Sequence, residues 1–324
     1  MLIRRCRSAL TRKSISCAAF CAAILVFATC ARPARAQEVA LTFDDLPEHG
    51  PLPPGVSRTD VAGSILKTLK EAHAPATYGF INASKLDASP GEIEVLKLWR
   101  AAGQPLGSHT YTHMSLTANT PEAFEKDIAK NEPVLRSLMG NAGWHWFRYP
   151  FLWEGDTLEK RHAIRDYLER NHYRIAQVTL DFEDYAWNAP YARCAAKKDE
   201  KAVAWLKESY LATADQYIAL DQQLSQLVFG RDIKHVLLLH IGAFDARMLP
   251  ELLDHLKAKG FKLVTLEEAE SDPAYQTDPD APLKYGGTLL EQLVEARGIP
   301  YPSHPEKPMK ELAAICRDAA ATPH

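Results

Sequence analysis

The sequence has 324 residues, 46% hydrophobic and 24% charged, with a formal net charge of −3, an ordinary globular composition with room for one large domain and additions. Residues 1–36 hold seven Lys/Arg and no Asp/Glu, so the remainder carries −10. A surface of that sign repels phosphate backbones, which argues against nucleic acid and strongly anionic glycans as partners.

In chain order, a basic opening (Arg4, Arg5, Arg7, Arg12, Lys13) precedes an apolar run from Ile15 to Ala31, and Ala34-Arg35-Ala36 follows with small-x-small spacing. This predicts a secretory signal peptide over 1–36, a mature chain from Gln37, and export to the periplasm or the extracellular space. Two alternatives stand beside it: lipidation at Cys30, for which Phe27 and Thr29 make a poor motif, and a retained anchor helix. Nothing later is long and apolar enough to span, so no stable membrane insertion is expected once the leader is removed. Cys194 and Cys316 are the two cysteines left. An oxidising compartment predicts one disulfide between them, tying the C-terminal tail to the chain's centre; two unpaired buried cysteines are the alternative.

Glu38 to Phe43 reads as a buried strand ending at two carboxylates. Apolar residues 61, 62, 65, 66 and 69 share one face of a helix over Arg58–Glu71, followed by a strand over Ala76–Ile81 and a helix over Gly91–Ala102 closed by Gly103. The alternation continues with a helix over Glu122–Met139, an apolar stretch Trp144–Phe147, a helix over Thr157–Asn171 and a strand over Arg174–Leu180. A helical insertion over about 195–227 interrupts it before a strand at His235–His240, a helix over Met248–Lys259 and a last strand at Phe261–Thr265. Alternating strands and helices with chemical groups at strand ends predict an α/β fold, a distorted (β/α) barrel over 37–270. From about 271 onward, Pro, Asp and Gly with two short helical patterns, Thr288–Ala296 and Met309–Cys316, predict a C-terminal extension packed on the barrel. No repeat or low-complexity segment is evident.

Asp44 and Asp45 sit together at the first strand's end, where adjacent side chains point in different directions, one free to hold a metal and the other to handle protons. His109 and His113 stand four residues apart, the spacing of one helical turn, so both imidazoles can face one ion. Two histidines and one carboxylate leave a fourth tetrahedral position open, the arrangement of a catalytic zinc-like site. Among Trp144, Trp146, Phe147, Tyr149, Phe151 and Trp153, most are expected in the core, with Tyr149 and Phe151 beside Arg148 placed to stack on sugar rings. His49, close after Asp45, is either an extra pocket residue or a solvated loop histidine.

Together these residues resemble the polysaccharide deacetylase family, also called carbohydrate esterase family four. Its T-F-D-D motif stands as Thr42-Phe43-Asp44-Asp45, its H-(S/T)-x-x-H as His109-Thr110-Tyr111-Thr112-His113, and its R-x-P as Arg148-Tyr149-Pro150. Its D-x-x-D-W resembles Asp181-Phe182-Glu183-Asp184 with Tyr185 in place of the tryptophan, and its apolar-x-His is Leu238-Leu239-His240. The resemblance implies Asp44 as general base and Asp45, His109 and His113 as ligands of one divalent ion, with zinc favoured. It makes His240 the general acid, supported by Asp184, has Arg148 hold Asp44, and has Leu238 line a pocket for the acetyl methyl. Tyr185 either loosens a shield over Asp184 or reshapes the groove. The implied activity is hydrolysis of N-acetyl or O-acetyl groups on a glycan. A small-molecule amidohydrolase using the same residues, and a catalytically silent glycan-binding protein, are the other readings.

Overall fold

Alternate residues of the first strand feed two different cores. In the computed structural model, which describes residues 37–141 and 143–317, β1 (Gln37–Leu46) places Ala40 in one buried cluster with Phe80, Trp146 and Val236, and places Val39, Leu41 and Phe43 in a second with helix residues such as Ile65, Trp99 and Leu252. That division is the barrel interior and the layer between strands and helices. The expected signal peptide, its cleavage site and Cys30 lie outside the described residues.

The chain then runs through α1 (Arg58–Glu71), β2 (Tyr78–Ile81), α2 (Lys85–Ala88), α3 (Ile93–Ala101), β3 (Leu106–Ser108), α4 (Pro121–Met139), β4 (Trp146–Phe147), α5 (Leu158–Arg170) and β5 (Arg174–Ile175). It continues with α6 (Asn188–Ala196), α7 (Glu200–Phe229), β6 (His235–His240), α8 (Ala243–Ala258), β7 (Phe261–Leu263), α9 (Leu266–Ala269), α10 (Leu289–Ala296) and α11 (Met309–Ala314). α1 begins in a capping box between Ser57 and Asp60. The expected helical insertion is two helices, α6 and α7, and α8 starts five residues earlier than its apolar pattern suggests.

All strand pairings are parallel, in the order β5-β4-β3-β2-β1-β6, with β7 on the first three residues of β1. Gly107 of β3 is demanded by space: a Cβ there would stand 2.7 Å from Phe80 and 2.8 Å from the Trp146 carbonyl. The ring closes between the two edges at Leu180 and Leu237, where residues 179–180 and 236–238 share three backbone hydrogen bonds, which makes the fold a distorted (β/α) barrel.

The expected strand over Arg174–Leu180 is only two residues long, because side chains take the backbone groups a ladder would use. The Ala176 carbonyl accepts from Arg148 Nε at 2.7 Å, the Gln177 N–H donates to Glu270 at 2.7 Å, and Thr179 Oγ1 accepts from the Val236 N–H at 2.9 Å. Burial pushes the Glu270 carboxyl up to about 8, against the pull of that N–H and of Arg148 and Arg174. A carboxyl raised on folding stabilises fully below its unfolded pKa of about 4.3, and that contribution is lost as pH climbs toward 8. Glu270→Gln, which keeps an acceptor for Gln177, should therefore gain stability relative to the parent between pH 5 and pH 8.5, by about 1–3 kcal/mol in denaturant titrations. An advantage that does not grow with pH would place the Glu270 proton elsewhere.

Cys194 of α6 and Cys316, two residues beyond α11, form a disulfide with Cα atoms 5.2 Å apart and a sequence separation of 122. Closing a loop of that length removes much unfolded-state entropy, so Cys194→Ser with Cys316→Ser should cost about 2 kcal/mol. Parent protein treated with reductant should fall to the same denaturation midpoint. Among the described residues, no helix is long and apolar enough to cross a membrane.

Candidate active site and metal centre

β1 and β6 run side by side in a register that sets Asp44 against His240, the last residue of β6. Asp44 continues the inward series Ala40, Thr42 and meets Arg148, whose Nη1 lies 3.3 and 3.4 Å from its two carboxylate oxygens. The same guanidinium donates to Thr42 Oγ1 at 3.1 Å and lies over the Phe80 ring. Burial raises the Asp44 carboxyl more than Arg148 and His240 lower it. Asp45 leaves the strand at φ 69°, so its carboxylate turns away from its neighbour's.

The two histidines follow β3 as expected, but in a loop rather than on a helical turn. Thr110 and His113 have φ of 59° and 58°, and the loop is fixed from outside. The Asn82 amide donates to the carbonyls of His109 and Thr110, while Asp127 of α4 accepts from the Thr112 N–H at 2.9 Å. His109 Nδ1 lies 2.8 Å from the Arg148 carbonyl, which can only accept, so the proton is on Nδ1 and the lone pair on Nε2. That Nε2 and His113 Nε2 stand 4.0 and 3.7 Å from Asp45 Oδ1.

This donor set fits a divalent ion. Asp45 Oδ1 is buried without a hydrogen-bond partner, and the ligand atoms of Asp45, His109 and His113 all lie within 4.8 Å of one another. Burial pushes His109 down to about 3 and His113 to about 4, while the Asp45 carboxyl is lowered because Lys85 and the histidines outweigh its own burial. All three are thus in the deprotonated forms that ligation needs. Asp45, His49 and His240 form a second trio within the same limit. It is the poorer cradle, because His240 is held as a cation.

The cation arises at Asp184, which is fully buried. Its Oδ1 lies 2.7 Å from His240 Nδ1, and its Oδ2 accepts the His240 N–H at 2.7 Å. Burial alone would lower the imidazole, but Asp184 outweighs it and the net shift is upward. Tyr185 leaves Asp184 covered; its ring stands 40% exposed at the cavity mouth, 5.1 Å from His240.

A single cavity of about 660 Å³ collects Asp44, Asp45, His109, His113, His240, Leu238 and Phe151. Phe151 is half exposed with its ring 4.4 Å from His113. Tyr149 does not stack on substrate: it is buried against Phe124 and Phe147 and is not among the lining residues. Arg148 and Asp184 also stay behind the surface, reaching the cavity only through Asp44 and His240. His49 is a pocket residue rather than a solvated one, its ring 4.9 Å from His240. Its Nδ1 lies 3.4 Å from the Asn188 amide and its Nε2 3.7 Å from Asp45 Oδ2. Sequence reading missed Asn188, and also Lys85, whose Nζ donates to the Asp45 carbonyl at 2.9 Å and lies 3.5 Å from Oδ1. No sequence motif flags either residue.

With that geometry in view, the family comparison is specific. The family model described as polysaccharide deacetylase matches residues 31–163, a span that holds Asp44, Asp45, His109, His113 and Arg148. That stretch of the chain is similar to the polysaccharide deacetylase family. His240 lies beyond the matched span, and the barrel brings it, with Asp184 behind it, to the same cavity as Asp44, Asp45, His109 and His113. Similar curated proteins include a chitin deacetylase of Arthroderma benhamiae, 24% identical over 72% of this chain and 52% of that protein. A peptidoglycan-N-acetylglucosamine deacetylase of Bacillus cereus is 29% identical over 47% of this chain and 48% of that one. A chitooligosaccharide deacetylase of Rhizobium leguminosarum bv. trifolii is 32% identical over 38% and 51%. The chain spans about half the length of the curated relatives it matches.

Proposed function

We propose that the protein is an exported, metal-dependent hydrolase that removes acetyl groups from an amino sugar or its glycan. The observation that carries this reading is the buried Asp45 Oδ1, which accepts no hydrogen bond and faces two neutral imidazoles, with a carboxylate and a protonated histidine on either side. Asp45, His109 and His113 would hold one divalent ion, with zinc favoured by the two nitrogen donors and one oxygen donor. Bound there, such an ion supplies Lewis-acid polarisation of the acyl carbonyl and acidifies water.

The chain's own groups handle the protons. Asp44, kept ionised by Arg148 yet made more basic by burial, takes the proton of the attacking water. His240, charged because Asp184 holds Nδ1, gives the proton on Nε2 to the departing amine or alkoxide. Leu238 shapes the floor where the acyl methyl rests, and Phe151 offers a ring face to the sugar. The relatives' names, deacetylases of chitin, peptidoglycan and chitooligosaccharide, support an acetylated glycan as substrate and an amide as the bond broken. Export follows from the leader-like residues 1–36.

The test is acetate release by residues 37–324 from N-acetylated oligosaccharides and an aryl acetate, after chelation and after zinc is restored. Release from a sugar that disappears on chelation and returns with zinc is expected. Turnover indifferent to chelation would remove the metal from the reading.

A further inference from the structure

The catalytic cavity does not end at the catalytic residues. Its far side is built outside the family match, by Tyr217 of α7 and by Tyr285, Glu295, Tyr301 and Lys307 of the C-terminal extension. An aromatic row links the two ends: Phe151 beside His113, Trp153 with its ring 4.9 Å from Phe151, and Tyr285 5.9 Å from Trp153. At about 660 Å³, the space is that of a pocket enclosing one small ligand.

The extension is pinned from end to end. Asp278 pairs with Arg161 at 2.5 Å and with Arg165 at 3.0 Å, α10 starts in a capping box between Thr288 and Glu291, and Cys316 is bonded to Cys194. Lys307 Nζ lies 2.9 Å from Glu183 and sits over the Tyr217 ring, while the Tyr217 hydroxyl donates to the Pro305 carbonyl at 3.1 Å. The closest contact is at Gly286, where a Cβ would come within 1.7 Å of the Leu152 carbonyl oxygen. The extension's backbone therefore lies directly on the turn that presents Phe151. Asp181, Glu183, Glu291 and Glu295 face this end against Lys307 and His304, a balance that disfavours anionic sugars.

We propose that the extension is a fixed end wall of the substrate cavity, so that the protein deacetylates the terminal unit of a short, uncharged or basic amino-sugar chain rather than interior units of a polymer. This rests on the deacetylase reading above. An aromatic row offers successive sugar faces up to the wall, and the wall limits how many units fit beyond the scissile acetyl.

The test uses β-1,4-linked N-acetylglucosamine oligomers of one to six units with the zinc-loaded protein, and locates the lost acetyl by mass spectrometry. Loss confined to one terminal unit, with kcat/KM no higher for the hexamer than for the trimer, is expected. Efficient loss from interior units of the hexamer would overturn the proposal and leave the deacetylase reading intact. The double variant Tyr285→Ala, Tyr301→Ala, at two exposed positions, should raise the interior-to-terminal ratio at least tenfold; an unchanged ratio would show that the wall does not set the choice. Acetate from an aryl acetate alone would overturn the amino-sugar class while sparing the hydrolytic chemistry, and none from either would remove both readings together.

Discussion

Asp44→Asn should lower turnover by about 10³-fold or more while the protein still binds one equivalent of zinc. The amide keeps the shape of the side chain between Arg148 and the imidazole of His109, 3.6 Å away, but cannot accept the proton. His109→Ala should behave differently, losing turnover and metal together, because it removes one of the three donors proposed to hold the ion. Zinc content by atomic emission and acetate release, measured on the same samples, separate the two roles. Substantial activity in Asp44→Asn would refute the assignment of the base, and full zinc content in His109→Ala would refute that of the ligand.

Arg148→Met carries the largest expected loss of stability, about 3–5 kcal/mol. Arg148 is 1% exposed and satisfies Asp44, Thr42 and the Ala176 carbonyl at once. Taking it away leaves an ionised carboxylate buried beside another, which costs far more than the pair contributes net. The double variant Arg148→Met, Asp44→Asn should therefore be more stable than Arg148→Met alone, a coupling that denaturant midpoints of the two singles and the double will measure. Strict additivity would mean the penalty comes from lost packing and not from the stranded charge.

Much of this arrangement was legible before any coordinates. Helix α1 and strand β6 fall on the residues their apolar patterns mark, and the ordered motifs from Asp44 to His240 meet in one cavity. What failed to show were features set by distant partners. The histidine pair is held together by a loop with left-handed residues, fixed by Asn82 and Asp127 from other elements, and not by the helical turn that four-residue spacing suggests. The strand after α5 stops at Ile175 because Arg148, Glu270 and Thr179 take its backbone bonds, and β-propensity carries no trace of them. Tyr149 looked like a substrate residue from its place beside Arg148, yet Phe124 and Phe147 enclose it. His49 was left undecided in sequence because its neighbours in space, Asn188, Tyr185 and His240, come from two remote segments. The extension's composition announced a tail and gave no sign that Gly286 would lie on the turn carrying Phe151.

The short seam that closes the barrel gives Arg148 a second identity. Residues 179–180 and 236–238 share three backbone hydrogen bonds there, fewer than join β1 to β6, and local opening concentrates where few bonds must break. The Arg148 side chain, bonded to the Ala176 carbonyl just before that seam and to Asp44 of β1, ties the segment that closes the ring to the carboxylate proposed as the proton acceptor. On the proposed mechanism, closure of the barrel and the charge of its base would then draw on one side chain.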